Sequence, residues 1–263
     1  MLFSIYTSLL PSWLLFVLLV GSIVGFACLV FMLRRRNMKW SDAGEEDKVI
    51  QSAVTYIGSV YGVLLALMIL SARGKFSTAD SVLTTEAAAI TAAARDASTL
   101  PEPLRGQVLD QLRQHTSLIL SDDWAVMSTH YDNPKPLRGS KVLNNLWVTY
   151  GTKISKAPLG GALMSNLNVI SLQRNQRFAL AREGLPDSFW TLLAVGIIVM
   201  IYLATSLRIK SHRHHLLILI CLVAPLAILL WLVADMDNPF GGTLQVSQSV
   251  YIHALQVLDA LPR

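Results

Sequence analysis

This sequence contains few cysteines, few charged residues and few signatures of catalysis. Its 263 residues include two cysteines, Cys28 and Cys221, and both fall inside apolar runs. A disulfide framework and a thiolate metal site are therefore not expected, and both cysteines should pack as small apolar side chains. Charged residues make up 15% of the chain, well below the ~25% usual for a soluble domain. The composition argues against an ordinary soluble protein.

Signatures of enzymatic chemistry are also missing. The sequence holds no phosphate-binding glycine loop, nucleophile elbow, nucleotide fingerprint or metal-ligand spacing. His212, His214 and His215 cluster, but neighbouring helical residues point in different directions, so an interfacial basic loop is expected rather than a metal site. Glu86 and the pair Asp122–Asp123 are expected on solvated faces. We therefore predict a protein that is not an enzyme and that needs no cofactor or metal.

Apolar residues, by contrast, are abundant and clustered. They form 53% of the chain, and the mean hydropathy is +0.48. Four runs reach the ~20 residues that a helix needs to cross a bilayer. These runs cover about 14–33, 50–72, 189–207 and 216–234. Arg34 to Arg36 follow the first run at once, which is a stop-transfer pattern rather than the end of a signal peptide. The sequence predicts an all-α membrane protein with four transmembrane helices.

The chain divides into four predicted parts. They are an N-terminal transmembrane hairpin at 1–72, a soluble helical stalk domain at 73–187, a C-terminal transmembrane hairpin at 188–235, and a turn with an amphipathic helix at 236–263. Proline and glycine separate helices within the stalk domain, and no period-two alternation indicates a strand. Its first and last helices are expected to continue membrane helices two and three.

The amphipathic helix near the C-terminus is predicted to span about 244–261. Its apolar side is expected at Val246, Val250, His253, Leu255, Val257, Leu258 and Leu261. The segment is too short and polar to cross a membrane, so we expect it at the membrane surface or packed on the stalk.

The basic residues indicate how the chain lies in a membrane. The net charge is +5, but much of it sits in the short loops after the first and third apolar runs, so nucleic acid is not the expected partner. Short basic loops favour the cytoplasm. This pattern predicts a multi-pass protein of a bacterial inner membrane, with both loops cytoplasmic and the helical domain and termini periplasmic. Basic residues also flank the membrane on the other side and oppose that signal; they are Arg73, Lys75, Arg174, Arg177 and Arg182.

Small and weakly polar residues recur at three- and four-residue intervals along the second apolar run. With the apolar residue that ends the series, they are Ser52, Thr55, Ser59, Gly62, Ala66 and Ile69. Two interpretations stay open. Small residues allow close helix packing in lipid, and the same face could line a pore that narrows at its apolar end near Ile69. No charged residue sits at the centre of a run, which argues against proton relays.

A turn is predicted immediately after the fourth run. It involves Asp237, Pro239, Phe240 and Gly241. Proline has no backbone N–H to donate to a helical hydrogen bond, and glycine permits positive φ. Phe240 is expected to anchor the turn in an apolar contact. The alternative is ligand binding by Asp235 and Asp237.

Several short segments, in order, resemble the bacterial bestrophin-like family, formerly a domain of unknown function. In chain order, these segments are Tyr61-Gly-Val-Leu-Leu-Ala-Leu, Thr85-Glu-Ala, Arg95 to Pro101, Asp123–Trp124, Arg174 to Phe178, Leu185–Pro186 with Trp190, and Asp237-Asn-Pro-Phe-Gly. The likeness covers about residues 50–260. Kinship to bestrophins implies a pentameric anion channel, permeable to ions such as chloride, whose second span lines the pore.

Two features depart from bestrophins. Their helical domain is cytosolic, whereas the basic loops here place it outside. Their acidic calcium-binding run is missing, since Gly242-Thr-Leu-Gln follows Asn238-Pro-Phe-Gly. The leading hypothesis is a homo-oligomeric ion channel whose partners are membrane lipid, inorganic ions and further copies of the chain. The alternative is a non-conducting membrane scaffold or signalling protein whose helical domain binds a partner.

Overall fold

A computed structural model describes residues 12–37, 45–129, 137–157 and 160–261. Within these ranges the regular secondary structure is helical throughout. The α-helices are α1 Ser12–Asn37, α2 Glu45–Ala97, α3 Leu104–Leu118, α4 Trp124–Met127, α5 Arg138–Asn145, α6 Gly151–Ile154, α7 Gly160–Arg182, α8 Asp187–Ser206, α9 His212–Asp235 and α10 Ser249–Ala260. Two π-helical turns, Ile119–Asp123 and Leu146–Tyr150, join α3 to α4 and α5 to α6.

The prediction of an all-α protein with four transmembrane helices is confirmed. Four helical segments are long and apolar enough to cross a membrane, and they contain α1, α2, α8 and α9. Helix α2 runs unbroken for 53 residues, so its polar half continues the second membrane helix as expected. The matching prediction for the third membrane helix is wrong, because the chain leaves helical geometry between α7 and α8. Pro186 caps α8 there, and proline disfavours helix in the residue before it.

The chain forms two compact units. Unit 1 comprises Met1–Arg73 and Gly184–Asp237, and unit 2 comprises Gly74–Glu183 and Asn238–Arg263.

Unit 1 contains the four apolar segments, and its core is built from apolar side chains of α1, α2, α8 and α9. The Tyr61 ring lies against Gly196, where an added Cβ would sit 2.5 Å from Cδ2 of the ring. The Tyr61 hydroxyl donates to the Leu193 carbonyl oxygen at 2.8 Å. Glycine at 196 therefore lets α2 and α8 approach closely, the kind of packing that lipid-embedded helices require.

Unit 2 is built around the Ala-rich second half of α2, with buried residues such as Ala93 and Ala94 packed beside Leu109 and Leu167. Helix α10 contacts α3. Because Tyr251, Ala254 and Leu258 are buried in this core, α10 packs on unit 2.

Two details of the predicted C-terminal helix are wrong. It begins at Ser249 rather than at 244, because the Val246 amide donates to the Pro239 carbonyl oxygen at 2.9 Å and holds the preceding segment outside helical geometry. Its buried side also differs, since His253 is exposed and Val250 is half-buried. At its far end, Arg113 Nη2 donates to the carbonyl oxygens of Leu258 and Leu261 at 2.7 and 3.3 Å.

Candidate functional site

One face of α2 in unit 1 packs inward and the opposite face lies open. Tyr61, Leu65 and Ala72 are buried in the core of unit 1. Successive residues of a helix are ~100° apart, which turns most of the predicted pore-lining residues away from this core, whereas Ile69 packs against it. Ser52, Thr55, Ser59 and Ala66 are exposed in the single chain, and Gly62 and Ile69 are half-buried.

The hydroxyl groups on this open face form hydrogen bonds to the backbone of their own helix. Ser52, Thr55 and Ser59 donate to the carbonyl oxygens four residues earlier, at 2.9, 3.0 and 2.8 Å. A hydroxyl satisfied in this way can lie beside lipid, a neighbouring helix or water. The open face is therefore compatible both with close packing and with a pore wall.

The predicted turn after α9 is held by side chains of its own segment. Asp237 accepts from the Leu185 amide at 2.8 Å within unit 1. In unit 2, Asn238 Nδ2 donates to the Met127 carbonyl oxygen at 2.9 Å, and Asn238 Oδ1 accepts from the Phe240 amide at 3.0 Å. Phe240 is fully buried, with its ring centroid 5.7 Å from that of Trp124 in an edge-to-face arrangement.

The role assigned to Gly241 needs correction. The positive φ belongs to Gly242, at 80°. Gly241 is constrained by space instead, because a Cβ there would lie 2.7 Å from the Ser128 carbonyl oxygen. Pro239 is buried in the same turn, and its carbonyl oxygen anchors the segment before α10.

The densest polar site was missed by the sequence-based reasoning. Arg177, in α7, is completely buried in unit 2. Its Nε lies 3.0 Å from Glu86 Oε2 and its Nη2 lies 3.1 Å from Asp123 Oδ2, with both carboxylates also fully buried. The expectation that Glu86 and Asp123 lie on solvated faces is therefore wrong. We call Glu86, Asp123, Arg174, Arg177 and Tyr251 the buried ionic cluster.

Two further groups complete the buried ionic cluster. Arg174 Nε lies 3.3 Å from Asp123 Oδ2, and its guanidinium carbon lies 4.7 Å from the centre of the Phe178 ring. The Tyr251 hydroxyl donates to Glu86 Oε2 at 2.6 Å. The two arginines thus balance the two carboxylates, which is the condition under which buried charges are tolerated.

His115 lies beside the buried ionic cluster and is fully buried. Its Nδ1 donates to the Gly139 carbonyl oxygen at 3.1 Å, because a carbonyl can only accept. Burial, reinforced by the positive charges of Arg177 and Arg174, lowers the pKa of His115 to about 3. The imidazole is therefore neutral in the folded protein at ordinary pH.

The other charged and histidine groups named from the sequence lie elsewhere. Asp122 pairs with Arg138, whose Nη2 lies 2.6 Å from Asp122 Oδ1. His215 is buried and its Nε2 lies 3.0 Å from the Ala204 carbonyl oxygen, whereas His212 and His214 are exposed. In the part of the chain that the structure describes, no three such acidic, histidine or cysteine side chains are arranged to hold a metal ion.

One signal in the sequence could have indicated the buried ionic cluster. Arg174 and Arg177 are three residues apart, which places both on one face of α7, and the apolar residues Leu163, Leu167 and Ile170 precede them on that face. Arginines that continue a buried apolar stripe require buried acidic partners.

The fold and the four membrane segments define a multi-pass helical membrane protein. A family model for the Bestrophin-like domain matches residues 12–251, and the chain belongs to this family. No curated protein matches the sequence.

Solved structures share the fold. A bacterial bestrophin homologue from Klebsiella pneumoniae, phased by Zn-SAD, has a TM-score of 0.62 and 12% identity, covering 93% of this chain and 96% of that chain. A point mutant of the homologue from the same organism also gives 0.62 and 12%, covering 92% and 98%. A crystal structure described as that of a membrane protein gives 0.62 and 11%, covering 92% and 97%. At these identities the likeness shows the fold.

Proposed function

We propose that this protein is a homo-oligomeric ion channel whose pore is lined by α2. The observation that carries the proposal is the open face of α2 in unit 1. Its exposed small residues Ser52, Thr55, Ser59 and Ala66 are turned away from the core, next to the larger exposed side chains Tyr56, Val63 and Leu70. Membership of the Bestrophin-like family supports it.

The pore requires several copies of the chain. The open face of α2 points away from the core of its own unit, so a conduit forms only where copies of α2 surround an axis. Each lining residue then repeats as a ring. We propose a pentamer, as the family resemblance implies, with Ser52, Thr55, Ser59, Gly62, Ala66 and Ile69 along the wall.

We propose that the permeant ions are anions. Arg73 supports this preference, since it is exposed and stands 18 residues after Thr55 in the same unbroken helix. Eighteen residues correspond to five turns, so Arg73 and Thr55 share the open face. A ring of guanidinium groups at one end of the pore attracts anions and repels cations.

The orientation of the chain in a bacterial inner membrane follows from the short basic loops, which we propose to be cytoplasmic. A membrane-impermeant maleimide applied to intact cells should then label a cysteine introduced at Ser140 and spare one introduced at Ser211. Cys28 and Cys221 should first be replaced by alanine. The reverse labelling pattern would place unit 2 in the cytosol.

The pore wall is tested by Ser59→Asp in bilayers that contain the purified oligomer. A ring of carboxylates in a narrow passage favours cations, so the reversal potential in a salt gradient should move toward the cation value. Ala66→Trp should block conduction by bulk alone. Leu64→Asp, on a half-buried position of the core-facing side, is the control and should impair folding instead.

The outcomes separate the channel from a non-conducting scaffold. If Ser59→Asp and Ala66→Trp both abolish assembly, the open face serves close packing between copies. If the wild-type oligomer carries no current, the channel proposal fails. Unchanged selectivity in a conducting Ser59→Asp oligomer would remove α2 from the pore wall.

A further inference from the structure

One end of unit 1 concentrates positive charge around the end of α1 and the loop between α8 and α9. Arg35 joins these two segments, because its Nη1 and Nη2 donate to the carbonyl oxygens of Ile209 and Lys210 at 3.4 and 3.0 Å. The Phe31 ring also lies 5.2 Å from the His212 ring, so the end of α1, the loop and the start of α9 meet at this end of unit 1. The Arg35 side chain thus ties the end of α1 to the backbone of this loop.

Other arginines at this end are used within the unit. Arg34 Nη1 donates to Ser206 Oγ at 2.7 Å, and its guanidinium carbon lies 4.3 Å from the centre of the Tyr202 ring. Arg208 pairs with Glu46 at 2.9 Å. These contacts fix the loop, and they leave the remaining cations available to an external ligand.

Three exposed cations stand in the described parts of the end of α1, the loop between α8 and α9, and the start of α9. Arg36, Lys210 and Arg213 are exposed, and none has an acidic partner among the described residues. Arg213 stands in the first turn of α9, where Ser211 caps the helix. The unsatisfied amides of a helix start add partial positive charge to that of the side chains. Arg36, Lys210, Arg213 and the N-terminal amides of α9 therefore all present positive charge to an anion at this end of unit 1.

We propose that Arg36, Lys210 and Arg213 form a binding site for the phosphate of an anionic membrane lipid. Arg36 ends the first segment that can cross a membrane, Arg213 is the second residue of the fourth, and Lys210 stands just before that fourth segment. This position places the cations where lipid headgroups lie, and the charge is complementary to phosphatidylglycerol. We propose a lipid rather than free phosphate because the apolar helices α1 and α9 beside the site are long enough to cross a membrane and so to lie next to acyl chains.

The test is native mass spectrometry of the purified wild-type protein in neutral detergent, titrated with phosphatidylglycerol or phosphatidylcholine. Phosphatidylglycerol should bind in preference, and salt should weaken it. The variant Arg36→Gln/Lys210→Gln/Arg213→Gln should lose affinity by about ten-fold or more. The matched control is Lys141→Gln/Lys153→Gln/Lys156→Gln, which removes the same charge from exposed lysines of unit 2 and should bind as wild type.

Three results would overturn the proposal. The first is equal binding of the two lipids by the wild type. This result does not depend on any variant and so holds even if a variant fails to fold. Equal loss in both triple variants would show a response to net charge alone. Displacement of the lipid by millimolar inorganic phosphate would identify a free-phosphate site.

Discussion

Unit 1 and unit 2 differ in where their described ion pairs lie, because unit 2 buries some of its pairs as well as exposing others. In unit 1 the ion pair between Arg208 and Glu46 lies at the surface, with Glu46 77% exposed. In unit 2, Arg177, Glu86 and Asp123 pair where all three side chains are fully buried. Apolar packing in unit 1 relies on close contacts such as Tyr61 against Gly196. The core of unit 1 is therefore stabilised by the close fit of apolar side chains, whereas the core of unit 2 also depends on the balance between its buried positive and negative charges.

The strongest way to test this contrast is to remove Arg177. Arg177→Met leaves Glu86 and Asp123 buried with only Arg174 as a cation, so unit 2 should lose about 3–5 kcal/mol of unfolding free energy. Chemical denaturation of the purified protein measures the loss. Arg95→Met, at an exposed arginine of the same unit, should change stability little.

A second substitution sharpens the result for Arg177. Arg177→Met combined with Glu86→Gln restores charge balance while the amide can still accept from Tyr251. The pair should be more stable than Arg177→Met alone. If the two variants are equally unstable, lost packing rather than unbalanced charge explains the effect.

The corresponding test of shape in unit 1 is Gly196→Ala. The new methyl group would meet the Tyr61 ring, and α2 and α8 would have to separate, at a cost of about 1–3 kcal/mol. Thermal unfolding in detergent should detect it. Gly21→Ala is the matched control, because nothing lies within 4 Å of a Cβ built there. A loss as large at Gly21 would show that helix contacts between α2 and α8 are not responsible.

The smallest of the three effects is a pH dependence in unit 2. The pKa of His115 is lowered from 6.5 to about 3 in the folded state, so the unfolded chain binds more protons between these values. Folding stability is therefore full above the unfolded pKa and falls as pH drops toward the folded pKa. From about pH 6 to about pH 4.5 the loss from this group should be about 2 kcal/mol.

His115→Asn isolates that contribution, because its amide can still donate toward the Gly139 carbonyl oxygen. The denaturation midpoint of the variant should vary less with pH than that of the wild type across this range. Parallel pH profiles for the two proteins would show that His115 is not the responsible group.

The parts of the fold that the sequence predicted are those governed by local rules. Hydrophobic length within each run is enough to identify α1, α2, α8 and α9. Gly184 and Pro186 mark the interruption before α8, but the helix before them was expected to continue into the third membrane helix. The start of α10 depends on a bond between Val246 and Pro239, which no periodicity within 244–261 reveals.

The candidate sites divide in the same way. The open face of α2 follows from the spacing of Thr55, Ser59 and Ala66 alone, whereas that spacing does not specify what the face contacts. The buried ionic cluster joins Arg177 to residues 91 and 54 positions away. Pairing over such separations is decided by how the helices pack, so the acids seemed solvated when each was considered by itself.

The buried ionic cluster also constrains how the sequence can drift over evolution. Substituting Arg177 alone leaves two buried carboxylates with Arg174 as their one arginine, and substituting Glu86 alone leaves a guanidinium in excess and removes the acceptor of the Tyr251 hydroxyl. A single substitution at one of these positions therefore gives a destabilised protein until a second substitution in the buried ionic cluster compensates for it. Related sequences should consequently keep these residues as a set or replace several of them together, and lineages that lose one should carry a compensating change at another.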